Sequence, residues 1–245
     1  MSGWKAKRFW AEARVVEVAN GYTVHLDHRP VRTPAKSALI VPTRALAEAI
    51  AAEWQAQEGQ IDPNKMPFTR SANAAIDKVV PQQAEVVRLL AAYADADLIC
   101  YRAESPAELV ARQAKAWDPL LDWAESDLAA RLTPVVGVVH VPQSADALNR
   151  LHGHVSALDV WALTAFHDLV TLSGSFVIGF ATLCGLYVPD VLWNLSRIDE
   201  TWQKEQWGSD EEAQLLASRK ESDFLQAKSF HDLSRRSLSF VERKD

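Results

Sequence analysis

The longest stretch of the chain without a charged residue runs from Leu169 to Pro189. A helix of that length could span a bilayer. The stretch is interrupted by glycine, serine and threonine, however, and a solitary span without basic flanking loops is a poor membrane segment. Small residues also let helices approach each other closely. We therefore predict one central helix, buried on all sides, with neighbouring helices packed closely at Gly174 and Gly179.

The two cysteines follow from that interpretation. Cys184 lies inside the uncharged stretch and is expected to resist thiol reagents, whereas Cys100 lies nearer a domain boundary and is expected to react sooner. Two cysteines without CxxC spacing indicate neither a metal site nor a disulfide framework. We expect no cofactor.

The first forty residues follow a different pattern, because apolar and polar residues alternate there. Arg14–Val18 and Tyr22–Leu26 are separated by a segment containing Asn20-Gly21. Asn-Gly between alternating runs is the strongest short hairpin signal, since both residues tolerate the positive φ of a tight turn. With Leu39–Val41 as a further short strand, the pattern predicts a small antiparallel sheet.

A helical period begins after Pro42 and continues through most of the chain. The apolar stripe from Leu46 to Trp54 predicts a helix that covers the sheet. Ser105–Glu108 has the form of a capping box, and Asp118-Pro119 repeats the combination of a capping residue and proline, so a helix is expected to begin at each. Val135–Val141 is the one later strand-like run, either in the first sheet or at a separate edge.

These patterns predict an α+β fold with two domains. A small antiparallel β-rich domain with its covering helix is expected over residues 1–80, and a larger all-helical domain over residues 81–245. A chain of 245 residues with 48% hydrophobic and 24% charged residues is typical of a globular protein with a substantial core. The net charge of −6 and the scattered basic residues argue against binding to nucleic acid. We also expect no stable membrane insertion.

An enzymatic function finds little support among the motifs. The sequence has no phosphate-binding glycine loop, nucleophile elbow or HExxH motif. One alternative stays open: a small-molecule hydrolase that uses His167 with the carboxylates of Asp199, Glu200 and Glu205 in an interdomain cleft. A deep pocket with convergent titratable groups would favour that alternative, and a broad shallow groove would favour a binding protein.

The segment from Trp193 to Glu212 is rich in tryptophan and acidic residues. Aromatic rings supply contact area and acidic groups supply orientation, a combination that suits protein recognition better than chemistry. A solvated helix face is the alternative for these carboxylates. Ser209 is expected to cap the last helix. The predicted partner-binding residues are Asp199, Glu200, Trp202, Glu205, Trp207, Glu211 and Glu212.

This segment is the last of an ordered series of motifs. The others are Lys7–Trp10, Leu26–Pro34, Ala49–Trp54, Met66–Asp77, Asp97–Arg102, Gln113–Leu121 and His167–Gly174. No single motif is diagnostic, but together, in order over roughly residues 7 to 215, they resemble the assembly chaperones for the α subunit of the F1-ATPase, the catalytic head of ATP synthase.

The resemblance implies a non-enzymatic protein that binds the newly made α subunit. Such a protein shields the subunit interface until the β subunit arrives. We expect the chain to be a monomer, and to act in the cytoplasm if it is bacterial; eukaryotic relatives would act in the mitochondrial matrix.

Overall fold

The computed structural model describes residues 7–208 and 211–235. The predicted α+β class is confirmed, with a small antiparallel sheet followed by a larger helical region. The chain divides into two compact units, Met1–Lys78 together with Ser229–Asp245, and Val79–Lys228. The domain limits expected from the sequence, 1–80 and 81–245, stay a prediction.

The predicted hairpin forms the centre of the first unit. Strands β1 (Ala13–Val18) and β2 (Gly21–Leu26) pair antiparallel, and β2 also pairs with β3 (Arg29–Pro30) and β4 (Ile40–Val41). The turn lies at positions 19–20, one residue earlier than Asn-Gly suggests. Gly21 instead begins β2 with φ +145°, and a Cβ there would lie 2.3 Å from the carbonyl oxygen of Val41. Only glycine fits this position.

Helix α1 (Arg44–Gln55) is the expected covering helix. It begins at Thr43, whose hydroxyl accepts a hydrogen bond from the amide of Leu46. Its apolar stripe, including Leu46 and Ile50, is buried. Helix α2 (Pro67–Ala74) follows and continues into a π-helical turn over Ala75–Val79.

The second unit contains most of the helices. They are α3 (Gln83–Ala92), α4 (Ala107–Asp127), α5 (Ala145–Ser156), α6 (Val160–Ser173), α7 (Phe176–Cys184), α8 (Pro189–Leu195) and α9 (Ile198–Trp207), followed by α10 (Glu211–Ser234), which ends in the first unit. A two-stranded parallel sheet joins β5 (Tyr101–Arg102) to β6 (Val135–Val136). The strand-like run at Val135–Val141 therefore contributes only two paired residues, at an edge separate from the first sheet.

Of the two helix starts predicted from proline, the one near Ser105-Pro106 is confirmed and the one at Asp118-Pro119 was wrong. Helix α4 has Pro106 at its N-cap without a side-chain capping bond, and it continues through Asp118-Pro119 without a break. Proline removes one backbone hydrogen bond inside a helix. Burial of Trp117, Leu120 and Leu121 on either side of it accounts for the continuity, because tertiary packing overrides local propensity.

The prediction of one central helix from Leu169 to Pro189 was also wrong. Helix α6 ends at Gly174, which adopts a left-handed φ of +76°, and the hydroxyl of Ser175 then caps α7 by accepting a bond from the amide of Ile178. The Ser-Gly-Ser sequence thus ends one helix and starts the next. Close packing at Gly179 is confirmed, but Gly174 serves as a cap. Among the described residues, no helix has the length and apolarity needed to cross a membrane.

The two cysteines lie opposite to expectation. Cys100 is buried, whereas Cys184 is exposed at the end of α7. The break between α6 and α7 explains the error, since the uncharged stretch reaches the surface before it ends.

Candidate protein-binding site

Helix α9 carries most of the predicted partner-binding residues, and buried contacts hold its first turn against α4. Asp199 accepts a 2.7 Å hydrogen bond from the side-chain amide of Gln113. Gln113 is only 2% exposed, and its oxygen accepts a 2.8 Å bond from the amide of Ala103. Asp199 is thereby fixed by a buried side chain, so its carboxylate is part of the support of the site.

The carboxylates of Glu205 and Glu200 have basic partners within the second unit. Arg112 binds Glu205 through two N–O contacts of 2.6 and 2.9 Å, and this hydrogen bonding lowers the pKa of the Glu205 carboxyl. Arg197 lies 2.8 Å from Glu200. Both carboxylates remain exposed to solvent. They position α9 and still present negative charge at the surface.

Arg197 shows how the Trp-rich segment is built. Its guanidinium lies 4.8 Å from the ring centroid of Trp193 and donates a 2.8 Å bond to the carbonyl of Ser173. Burial lowers the pKa of Arg197. Trp193 is buried in α8, while Trp202 and Trp207 lie on α9, so the segment forms two short helices rather than one. The first tryptophan packs inside the unit and the other two border the surface.

An open groove of about 420 Å³ lies between α9, the start of α4 and the loops near β5 and β6. Its apolar walls include Pro106, Leu109, Val138, Trp202 and Trp207. Trp207 is 79% exposed. The side chain of Asp199 also lines the groove. This groove is open and mostly apolar, which suits the binding of another protein better than the enclosure of a small substrate.

Glu211 and Glu212 lie apart from this cluster in the sequence, at the start of α10. Every residue from 211 to 220 is exposed, including Leu215 and Leu216. Neither glutamate lines the groove as the described residues define it. The predicted cap, Ser209, lies outside the described residues.

Sequence reasoning missed one apolar part of the groove. Residues 136–141, which we call the valine loop, begin with the last residue of β6 and include four exposed valines. Val138 is 91% exposed and, with Gly137, lines the same groove as Trp202 and Trp207 of α9. The signal was present in the sequence as a valine run too long for the two residues that pair.

The groups invoked for a hydrolase have separate partners. His167 Nδ1 lies 3.0 Å from the carboxylate of its neighbour Asp168, whereas Asp199, Glu200 and Glu205 contact Gln113, Arg197 and Arg112. In residues 7–208 and 211–235, no cluster of three or more His, Cys, Asp or Glu residues is placed to hold a metal ion. These contacts give the hydrolase alternative no support.

Asp97 is a fully buried carboxylate. It accepts hydrogen bonds from the amides of Ile99 and Val177, at 3.1 and 2.9 Å, and burial raises its pKa to about 6. Because one oxygen is directed to the amide of Ile99 in its own turn and the other to the amide of Val177 at the start of α7, we interpret Asp97 as structural.

Comparison with known proteins identifies the family. Residues 7–125 match the family described as ATP12 chaperone protein. The crystal structure of Atp12 from Paracoccus denitrificans is 48% identical with a TM-score of 0.91, and the match covers 95% of this chain and 100% of that one. A putative chaperone from Agrobacterium tumefaciens is 38% identical with a TM-score of 0.87, over 93% of this chain and 85% of that one.

A more distant relative is the mitochondrial protein atp12 of Schizosaccharomyces pombe. It is 27% identical over 220 residues, which are 84% of this chain and 75% of the relative. The resemblance seen in the ordered motifs is confirmed, and the chain belongs to the ATP12 family of chaperone proteins.

Proposed function

We propose that this protein binds the unassembled α subunit of the F1-ATPase and covers its subunit interface until the β subunit takes its place. That the protein is a chaperone of ATP synthase assembly follows from its family. The α subunit as its client, and the shielding of that subunit's interface, are our proposal. An unassembled subunit exposes apolar surface that promotes aggregation, so a transient partner that covers it is physically reasonable.

The observation that carries the proposal is the open groove with Trp207 at its edge. A tryptophan that is 79% exposed leaves a large apolar ring in water. Such rings commonly act as anchors when they become buried at a protein interface. The groove is lined by further apolar side chains from α4 and from the valine loop, which gives a partner continuous surface to contact.

We propose two roles for the predicted partner-binding residues. Trp202 and Trp207 provide apolar contact area, and Asp199, Glu200 and Glu205 set the orientation of the client through their negative charge. Glu211 and Glu212 add acidic groups at the start of α10, whose exposed first turns have room for a partner.

Binding is the whole of the proposed activity. Membership of a chaperone family implies that the protein is not an enzyme. We expect it to act as a monomer, and in the cytoplasm if the source is bacterial. Moderate affinity is required, because the client must be released when the β subunit arrives.

The groove is tested by replacing Trp207 with alanine. We expect the Kd for purified α subunit to rise about tenfold or more, the usual effect of removing an aromatic anchor. Tyr187→Ala is the matched control, because Tyr187 is an exposed aromatic residue of the same unit that does not line the groove. Equal binding by wild type and Trp207→Ala, measured by calorimetry, would overturn the site.

A further inference from the structure

The valine loop is anchored at both ends. At the start, Val135 and Val136 pair with β5, and the amide of Gly137 donates a 2.9 Å bond to the carbonyl of Arg102. At the other end, the carboxylate of Asp95 accepts a 2.7 Å bond from the amide of Gln143 and lies 3.1 Å from Nε2 of His140. The loop between these anchors is therefore held in place.

Its apolar side chains nevertheless point into solvent. Val138 is 91% and Val139 76% exposed, and Val136 and Val141 are exposed as well. Within the part of the chain that the structure describes, the backbone amides of Val138, Val139 and Val141 have no hydrogen-bond acceptor. Gly137 adopts a φ of +90° and turns the chain at this point. Adjacent exposed valines on an anchored loop are an apolar surface without a partner.

We propose that the valine loop is an apolar anchor for the client, with Val138 and Val139 entering an apolar pocket on the unassembled α subunit. The inference rests on the proposed function. Val138 and Gly137 line the same groove as Trp202 and Trp207, so the loop and α9 both contribute to one binding surface. A client segment lying in the groove would contact both the loop and α9.

The charges around the groove indicate which kind of client segment would fit it. Glu104 lines the groove and has no ion-pair partner among the described residues. Arg102 also lines it, but its guanidinium is largely buried and pairs with Asp118 at 2.8 Å. Glu200 and Glu205 lie on α9 beside the groove, and their carboxylates stay exposed although each pairs with an arginine. The complementary client segment is apolar and flanked by a basic residue.

The same features argue against other occupants. The loop has six residues and extends about 20 Å at most. A stable dimer interface uses roughly 20–30 residues on each side, so a second copy would have to contact much more than the loop. A second copy that extended the contact would bring Glu104 and the exposed carboxylates of α9 close to their own counterparts, which is unfavourable. A membrane surface is also disfavoured, because anionic headgroups repel these carboxylates and a chain with a net charge of −6.

The test is a double variant, Val138→Ser with Val139→Ser, compared with Val188→Ser. Val188 is also an exposed valine of the second unit, but it does not line the groove. We expect the Kd for purified α subunit to rise at least about tenfold in the double variant and to stay unchanged in the control. Both variants should unfold at the wild-type temperature, since the replaced side chains are exposed.

The outcomes separate this inference from the proposed function. If wild type binds the α subunit and the double variant binds equally well, the valine loop is not the anchor and the proposed function stands. If wild type does not bind the α subunit, both fail. Two results would overturn the inference. If wild type forms dimers in sedimentation velocity and the double variant does not, the loop binds a second copy. If wild type pellets with phosphatidylglycerol vesicles and the double variant does not, the loop binds a membrane.

Discussion

The guanidinium of Arg112 and the carboxylate of Glu205 form a bidentate ion pair that joins α4 to α9, with N–O distances of 2.6 and 2.9 Å. Both side chains remain partly exposed. Exposed ion pairs contribute little to stability because solvent screens them and because ordering two long side chains costs entropy. The pair therefore matters more for the position of α9 beside the groove than for the stability of the fold.

Reversing the charge at Glu205 is predicted to weaken binding of the α subunit. Glu205→Lys places two positive charges together and removes a negative charge from the surface of α9. Circular dichroism and the unfolding midpoint should stay close to wild type, while the Kd for the α subunit rises.

The charge-swapped variant, Arg112→Glu with Glu205→Lys, separates contact from positioning. It restores an ion pair between α4 and α9 but leaves a lysine where we propose that the client meets a carboxylate in wild type. We expect binding to remain weak. Full recovery would show that Glu205 acts only by positioning α9.

Thiol reactivity is predicted to distinguish the two cysteines. Burial and the nearby carboxylate of Asp97 raise the pKa of the Cys100 thiol to about 12, whereas Cys184 is exposed. Because the thiolate is the reactive form, native protein should react with Ellman's reagent at one thiol per chain, and denatured protein at both. Cys184→Ser should abolish the native reaction. A native reaction that persists in that variant would contradict the burial of Cys100.

Gly179 is predicted to tolerate no side chain. A Cβ at this position would lie 2.8 Å from a methyl carbon of Val170 and 3.2 Å from the ring of Phe166. Gly179→Ala should cost about 1–3 kcal/mol, and Gly179→Leu more, because the contact between α6 and α7 is already close. The measurement is the free energy of unfolding from urea titration.

Gly153 provides the matched control for that measurement. It also lies in a helix, α5, but a Cβ there meets no atom within 4 Å. Gly153→Ala should stabilise the protein by about 0.5–1 kcal/mol through helix propensity. Similar effects at both glycines would show that the α6–α7 contact is looser than described.

Asp97 is predicted to make stability fall as the pH rises from about 4 to 6. Burial raises its pKa from 3.8 to about 6, so the folded protein holds a proton in this window that the unfolded chain has lost. Raising the pH through the window therefore weakens the folded state, by roughly 3 kcal/mol at most.

Asp97→Asn removes this titration. The variant loses an acceptor for the amides of Ile99 or Val177, and it should be less stable than wild type at acidic pH. The difference between the two proteins should shrink as the pH rises to 6. A difference that stays constant from pH 4 to 7 would show that Asp97 does not titrate in this range.

Local patterns in the sequence predicted several elements correctly. Alternation and a tight turn identified β1 and β2, and the stripe from Leu46 identified α1, because each depends on neighbouring residues. The prediction of close helix packing at Gly174 was wrong, because Gly174 ends α6 and the next residue, Ser175, caps α7. Glycine followed by serine is a recognisable signal for the end of one helix and the start of the next. The length of the uncharged stretch instead favoured a single helix.

The composition of the site was predictable, but its arrangement was not. Trp202 and Trp207 were identified from their density among acidic residues. The pairing of Arg112 with Glu205, and of Gln113 with Asp199, joins residues far apart in the chain, and no local pattern indicates it. The exposure of Val138 was missed for the same reason, since only the packed structure shows that β6 ends after two residues.

Size-exclusion chromatography with purified subunits tests the central claim most directly. The protein is mixed once with isolated α subunit and once with the assembled α/β head, and the fractions are examined for both chains. We predict co-elution with the isolated α subunit and none with the assembled head, because assembly covers the surface that the chaperone binds. Co-elution with the assembled head, without any complex with the isolated α subunit, would contradict the account.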